Sequence, residues 1–185
     1  MKHRVCPWWL GYWLLNPLRR WRQDPRVILA PYVHEGMTVL EPGPGMGFFT
    51  LDLAHLVGPS GRVVAVDVQP RMINKLKRRL AKAGVDGRAD VRVASADSMG
   101  LSDLKGAVDF TAAFYVVHEF PNHERFFSEV AEVSKSGAGL LVAEPKGHVS
   151  GTAFEAELDA AAKAGFGVVG RPEIRRSHAA AMRKQ

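Results

Sequence analysis

Three glycines spaced two residues apart, Gly43, Gly45 and Gly47, stand in the run Val39-Leu40-Glu41-Pro42-Gly43-Pro44-Gly45-Met46-Gly47-Phe48. Without a Cβ, such residues allow a tight turn, let the backbone approach a ligand, and leave amide N–H groups aimed into a crevice at a helix N-terminus. The spacing is not G-x-G-x-x-G, because position 48 is Phe, and no Gly-Lys-Ser/Thr ending is present to cradle a triphosphate. Taken by themselves the glycines also fit an ordinary strand-to-helix turn. Twenty residues past Gly47, Asp67 closes the run Val63-Val64-Ala65-Val66-Asp67. A carboxylate there can accept both hydrogen bonds of a ribose diol. Asp97, in Ala94-Ser95-Ala96-Asp97, can accept from an adenine amino group. Each acid has a plainer alternative: Asp67 as a cap for the next helix, Asp97 as a cap for the turn at Ser98 to Gly100.

These groups need a scaffold that delivers them to one edge, and the pattern of elements supplies it. Short β-rich runs alternate with helical patterns, the signature of a parallel sheet covered by helices. The expected strands are Thr38 to Glu41, Arg62 to Asp67, Asp90 to Ser95, Val108 to Phe114 and Gly139 to Glu144. Helices are expected from about Phe48 to Leu56, Arg71 to Ala83, Glu124 to Ser134 and Ala153 to Ala164. Pro70 fits a first turn, and Gly58, Gly84, Gly137 and Gly165 stand where helices should stop. Two further strands are expected near Phe166 to Ile174 and Ser177 to Met182, the last weakened by Ala179-Ala180-Ala181. The glycine loop, Asp67 and Asp97 then fall at the carboxyl ends of successive strands, where ligands of open α/β sheets bind.

With those residues in place, the chain resembles the class I S-adenosylmethionine-dependent methyltransferases from about Glu35 to its end. Glu41 to Gly47 match that superfamily's cofactor loop, Val66-Asp67 its ribose position, Ala96-Asp97 its adenine site, and Val108-Asp109 through Phe114-Tyr115 its fourth strand and active-site edge. The resemblance implies an α/β, Rossmann-like fold: a seven-stranded, mostly parallel sheet flanked by helices, with its last strand antiparallel. It also implies S-adenosyl-L-methionine as cofactor, held by Glu41, Gly43, Gly45, Gly47, Phe48, Asp67, Val68, Met72, Ala96, Asp97 and Tyr115. In flavour the chain is nearest to small-molecule methyltransferases of the ubiquinone/menaquinone-biosynthesis type.

Acceptor chemistry is set after the fourth strand, where the sequence reads Phe114-Tyr115-Val116-Val117-His118-Glu119-Phe120-Pro121-Asn122. The Asn/Asp-Pro-Pro-Tyr/Phe motif of exocyclic-amine methyltransferases is missing, which argues against adenine-amine and glutamine-amide acceptors. Arsenite methyltransferases hold the metalloid through several cysteines, and Cys6 is the only cysteine of this sequence. Metal-dependent catechol-type enzymes carry an Asp-Asn pair where Glu144-Pro145 stands, so no catalytic metal is expected. Methyl transfer from a sulfonium needs positioning, a dry site, and a base when the nucleophile must lose a proton. His118 is the candidate base, its ordinary pKa near ~6.5 suiting neutral pH, with a helix cap or pocket wall as its alternative role. Glu119 is the second choice. His148 also has a position from which to face substrate. Phe48, Phe114, Tyr115 and Met72 either line the cavity or belong to the core, and Lys75, Lys77, Arg78, Arg79 and Lys82 are expected on a solvated helix face.

Of 185 residues, 46% are hydrophobic, too many for a disordered chain and enough for one substantial core. A single cysteine rules out an intramolecular disulfide framework and points to a reducing cytoplasm. The net charge of +6 is concentrated: residues 1 to 26 carry +5 together with all four tryptophans, and the remainder balances 19 basic against 18 acidic residues. Residues 1–34 are expected to act as an aromatic, basic lid on a domain of residues 35–185, with residues 8–22 capable of peripheral membrane contact. Trp8 to Leu15 imitates a signal peptide, but it is stopped at Asn16-Pro17 without a small-x-small cleavage site. A small, apolar or aromatic acceptor is the leading expectation. Two rivals are an RNA methyltransferase using Arg19, Arg20 and Arg22 with the C-terminal Arg175, Arg176, Arg183 and Lys184 on phosphates, and a cofactor-binding protein without transferase activity.

Overall fold

The computed structural model describes residues 20, 23–95 and 98–185, which form two compact units, one up to Gly100 and one from Leu101 to Gln185. In the first unit a short helix, α1 (Pro25–Leu29), starts at Asp24, whose side chain accepts from the Arg26 amide. Strand β1 (Thr38–Pro42), helix α2 (Thr50–Leu56), β2 (Arg62–Asp67), α3 (Pro70–Lys82) and β3 (Ala89–Val93) follow. The three strands pair in parallel in the order β3-β2-β1, with Val39 opposite Val63 and Val64 opposite Asp90. Val63 to Val66 are buried throughout, the continuous apolar run that a parallel strand covered on both faces requires. Pro70 opens α3, and Met72, Ile73, Leu76 and Leu80 line its buried stripe at helical spacing.

The second unit contains β4 (Val108–Phe114), α4 (His123–Val133), β5 (Ser134–Pro145), α5 (Gly151–Lys163), β6 (Phe166–Gly170) and β7 (Ser177–Lys184). Its strands run in the order β4-β5-β7-β6, with β7 antiparallel to both neighbours. The described residues thus supply the expected seven-stranded mixed sheet, in which only the last strand reverses direction. Asn122 and Ser150 cap α4 and α5 through side-chain oxygens that accept the amides of Arg125 and Ala153.

Several boundaries differ from those read in the sequence. Strand β5 begins at Ser134, directly after α4, and its pairing with β4 shifts between Val108 and Phe110 before resuming at Gly139. The alternating pattern was broken by Lys135-Ser136-Gly137, which hid the first part of this strand. Strand β6 stops at Gly170 rather than Ile174, because Pro172 cannot donate to a ladder. The alanine cluster, in contrast, forms the middle of an eight-residue strand. Ala179, Ala180 and Ala181 are buried between β5 and β6, where small side chains fit and intrinsic propensity yields to packing.

Candidate active site

In the first unit the glycine loop leaves β1 and enters α2. Gly43 donates to the Val66 carbonyl at 2.8 Å, which ties the start of the loop to β2. Gly45 has φ +54°, and a Cβ there would meet nothing within 4 Å, so one side of the loop is open. Gly47 is constrained for the opposite reason. At φ +83°, a conformation that favours glycine, a Cβ would run into the end of the Leu76 side chain, so glycine suits the close approach of the loop to α3. Arg79 fastens the loop from below, donating to the carbonyls of Met46 and Gly47, the latter at 3.0 Å. This corrects the expectation of a solvated Arg79. The side chain turns inward, and burial, with the charge of Arg20, lowers its pKa against an opposing effect of Asp52.

Glu41, at the end of β1, is buried, and its Oε2 has no hydrogen-bond partner among the described residues. Burial raises its pKa to about 8, helped by the charge of Asp67 and opposed by the Thr50 hydroxyl, which stands close without completing a hydrogen bond of normal geometry. Asp67, nearly buried at the end of β2, accepts from the Gln69 amide at 2.8 Å through Oδ1 and from the Gly45 amide at 3.2 Å through Oδ2. It therefore both organises the entry to α3 and fixes the glycine loop. Burial raises its pKa, and these two amides oppose the shift. Val68 is 38% exposed, an apolar surface beside the carboxylate, whereas Met72 is in the core and Phe48 is half-buried, edge-on to Phe49 with ring centroids 5.0 Å apart.

In the second unit the chain turns sharply where β4 ends. Tyr115 occupies the left-handed region at φ +59°, a conformation that costs a non-glycine residue ~1–3 kcal/mol and is held here by its surroundings. Its amide donates to the Ala143 carbonyl at 2.7 Å, and its hydroxyl pairs with Ser177 Oγ at 2.9 Å. The turn releases Val117–Glu119 as a single 3-10 turn, which directs His118 toward Glu144 at the end of β5. Glu144 has no exposed surface. Its Oε1 accepts the amides of Val116 and Val117 at 3.2 and 2.8 Å, and its Oε2 lies 2.5 Å from His118 Nδ1. Burial, the largest influence on His118, lowers its pKa, but the hydrogen bond to Glu144 and the charges of Glu144, Glu119 and Glu157 outweigh it, and the net shift is upward. The His118 side chain remains 26% exposed. A carboxylate that only accepts fixes the proton on Nδ1 and leaves Nε2 with a lone pair.

His118 forms one wall of an open cleft of about 700 Å³ between the start of α4 and the outer part of α5. Phe120, Pro121, Ala156 and Ala160 give it apolar walls, and Lys163 and Glu124, paired at 2.7 Å, stand at its rim. His148 is exposed, with its ring centroid 6.3 Å from that of His118. Glu119 is half-buried and acts on His118 through its charge.

Reading of the sequence missed Glu144, Glu157 and Arg79 as parts of the site. Glu144 carried a signal: an acid closing a strand of otherwise apolar residues, Leu140-Leu141-Val142-Ala143, as Glu41 and Asp67 do. Ala96, Asp97, the tryptophan-rich run and Arg22 lie outside the described residues. Arg20 is described, and its guanidinium makes a bidentate pair with Asp52 of α2 at 2.8 and 3.0 Å, so it is engaged within the protein.

A family model described as a methyltransferase domain matches residues 33–174. Among curated proteins the chain is 27% identical over 109 residues to a demethylmenaquinone methyltransferase of Lactococcus lactis, covering 59% of this chain and 42% of that one. It is 29% identical over 109 residues to an arsenite methyltransferase of Halobacterium salinarum, covering 59% of this chain and 27% of that protein. The chain thus spans less than half the length of these relatives. Among solved structures, an S-adenosylmethionine-dependent methyltransferase of Aquifex aeolicus superposes with TM-score 0.86 at 26% identity, covering 98% of this chain and all of that one.

Proposed function

We propose, from the premise that the chain belongs to the methyltransferase-domain family of the class I S-adenosylmethionine-dependent superfamily, that it methylates a small, apolar or aromatic acceptor with His118 as general base. The observation that carries this reading is the pairing of His118 Nδ1 with the wholly buried Glu144. Glu144 holds the ring, fixes its tautomer and stabilises the imidazolium formed when Nε2 takes a proton from the acceptor.

The residues of the first unit fit the cofactor. Glu41 Oε2 is a buried, unpartnered acceptor suited to a cationic group such as an α-ammonium. Gly45 leaves open space above the loop. Asp67 has each oxygen engaged once by an amide, which leaves lone pairs for a ribose diol, and Val68 offers an apolar contact for a base. When bound, S-adenosylmethionine supplies an electrophilic methyl group on a sulfonium centre. Everything else the reaction needs is orientation, exclusion of water and a place for one proton.

A relative named for demethylmenaquinone, a quinone, supports an apolar aromatic acceptor. The engagement of Arg20 by Asp52 ties up one of the basic side chains that RNA binding would use. Incubating the protein with methyl-labelled S-adenosylmethionine and fractionated cell extract tests the proposal. Label should enter an organic-extractable small molecule; label found only in RNA, or in nothing across all fractions, would reject it.

A further inference from the structure

The sheet edge that holds His118 is flanked by cations that the mechanism above does not use. Past Glu144 the chain reads Pro145-Lys146-Gly147-His148, and β7 is entered through Arg175-Arg176-Ser177. Pro145 stands opposite Ser177 in the antiparallel pairing, and the Lys146 amide donates to the Arg176 carbonyl at 3.0 Å, so the two segments form one hydrogen-bonded edge. His118 reaches this edge through Glu144, and its ring centroid is 6.3 Å from that of His148. Lys146, His148, Arg175 and Arg176 are all exposed, and a Cβ at Gly147 would meet nothing within 4 Å, so the edge faces open space. Among the described residues no ion pair engages the side chain of Lys146, Arg175 or Arg176. The nearby acids do not balance them: Glu144 is buried against His118, Glu155 is paired with Arg171 at 2.7 Å, and Glu119 and Glu173 are single carboxylates.

The backbone marks the same place. Arg176 is held in the left-handed region at φ +58°, where glycine is the ordinary choice. Among the described residues one other non-glycine residue has a positive φ, and it is Tyr115, at the turn that directs His118. The two are tied together, because the Tyr115 hydroxyl pairs at 2.9 Å with Oγ of Ser177, the residue after Arg176. Backbone strain at residues that carry a side chain gathers at ligand sites, where the surroundings hold it in place.

We propose that Lys146, Arg175 and Arg176 form an anion subsite beside the base, so that the acceptor is an apolar or aromatic molecule carrying a carboxylate or phosphate group. This rests on His118 being the base of the proposed reaction and narrows the acceptor that it serves. Guanidinium and ammonium groups hold the oxygens of either anion through charge-assisted hydrogen bonds, arginine in a two-pronged fashion. His118 borders both the cationic edge and the cleft walled by Phe120 and Pro121. An acceptor anchored by its charge at the first and by its apolar body at the second has its reacting atom at the imidazole. A small anion suits this edge better than a nucleic-acid backbone does. Arg183 lies at the opposite end of β7, about 23 Å from Arg176 at the rise of a strand. Lys184 beside it is engaged by the carbonyls of Ala131 and Ser134 at 2.6 and 2.9 Å. The basic residues of the C-terminal region are thus divided between two ends of the strand and do not make one track for phosphates.

The test is a nuclear magnetic resonance titration of the intact protein with benzoate, phenyl phosphate, neutral benzamide and inorganic phosphate. The signals followed are the backbone amides of Lys146, Arg176 and Ser177 and the ring of His148. The titration is repeated in the double variant Arg175→Gln with Arg176→Gly, which removes both charges and places glycine at the left-handed position. One or both aromatic anions should move these signals saturably and bind about tenfold or more tighter than benzamide, and the double variant should lose about tenfold or more of that affinity. The tighter of the two anions tells carboxylate from phosphate. Benzamide binding as well as both anions, shifts that miss this edge, or affinity unchanged in the double variant would overturn the inference. Inorganic phosphate binding as tightly as phenyl phosphate, with benzoate not bound, would show an adventitious ion only and overturn it too. An RNA oligomer that binds the edge when neither aromatic anion does would overturn it in favour of RNA. If the double variant does not fold, the native titration alone decides. Full methyl transfer by His118→Ala would refute the base instead, and the aromatic anions would still bind.

Discussion

His118 Nδ1 lies 2.5 Å from Oε2 of Glu144, a carboxylate with no exposed surface whose other oxygen accepts two backbone amides. The relationship joins two strand ends, because His118 follows β4 and Glu144 closes β5. An acceptor so placed holds the imidazole with its proton on Nδ1, the tautomer a base at Nε2 requires. Replacing Glu144 with Gln keeps the volume and an acceptor for the amides but removes the charge and permits the wrong tautomer. Turnover should fall by roughly 10²-fold or more, with cofactor affinity unchanged. Steady-state rates beside calorimetric titration with S-adenosylmethionine check this, and an unaltered rate would leave Glu144 a purely structural acid.

Arg79 is expected to matter to the cofactor without touching it. Arg79→Met removes the donors to the carbonyls of Met46 and Gly47 while retaining most of the packing. The folded state should lose about 1–3 kcal/mol, as for charged hydrogen bonds to buried carbonyls, and S-adenosylmethionine should bind more weakly as the loop loosens. Urea unfolding and calorimetry measure the two effects. A stability loss with unchanged affinity would show that the loop is held by other contacts.

Arg20 pairs with Asp52, whose side chain is only 6% exposed against 53% for the guanidinium. Arg20→Ala leaves that carboxylate uncompensated and should cost about 1–2 kcal/mol, reduced from the fully buried case by the exposure of Arg20. Adding Asp52→Asn should recover part of the loss, since the orphaned charge is then gone. Additive penalties in the double variant would mean the pair is not coupled.

Glu41 makes stability depend on pH in a defined direction. Its pKa rises from 4.5 to about 8 on folding, so between these values the folded state alone retains the proton. Stability therefore falls as pH rises through this window, and Glu41→Gln should flatten the fall. Glu157, also raised to about 8, contributes the same sign and remains in the variant. Unfolding in urea at pH 6 and pH 8.5 gives the comparison; equal slopes in both proteins would show that Glu41 does not hold its proton.

The glycine loop, Asp67 and the succession of strands and helices along the chain were legible because each follows from local chemistry: a missing Cβ, an acid closing an apolar run, a period that switches between strand and helix. Asp67 does more than the sequence implies, since its bond to the Gly45 amide crosses 22 residues and appears only on folding. Arg79 looked like one more cation on a basic helix face, and nothing in its spacing shows that it points back to the loop. Glu157 was hidden for a similar reason. In Phe154-Glu155-Ala156-Glu157-Leu158 two acids alternate, and only packing decides that Glu155 pairs with Arg171 at the surface while Glu157 is buried. The site at His118 was visible as a residue but not as a pair, because its partner lies 26 positions away on another strand.

The most direct measurement is the effect of His118→Ala on the two halves of the reaction, with cofactor affinity taken by calorimetry and methyl transfer from labelled S-adenosylmethionine to the identified acceptor. The base assignment predicts near-normal affinity and a rate lower by roughly 10²–10⁴-fold. An unchanged rate, or a fall in rate matched by an equal loss of cofactor affinity, would contradict it.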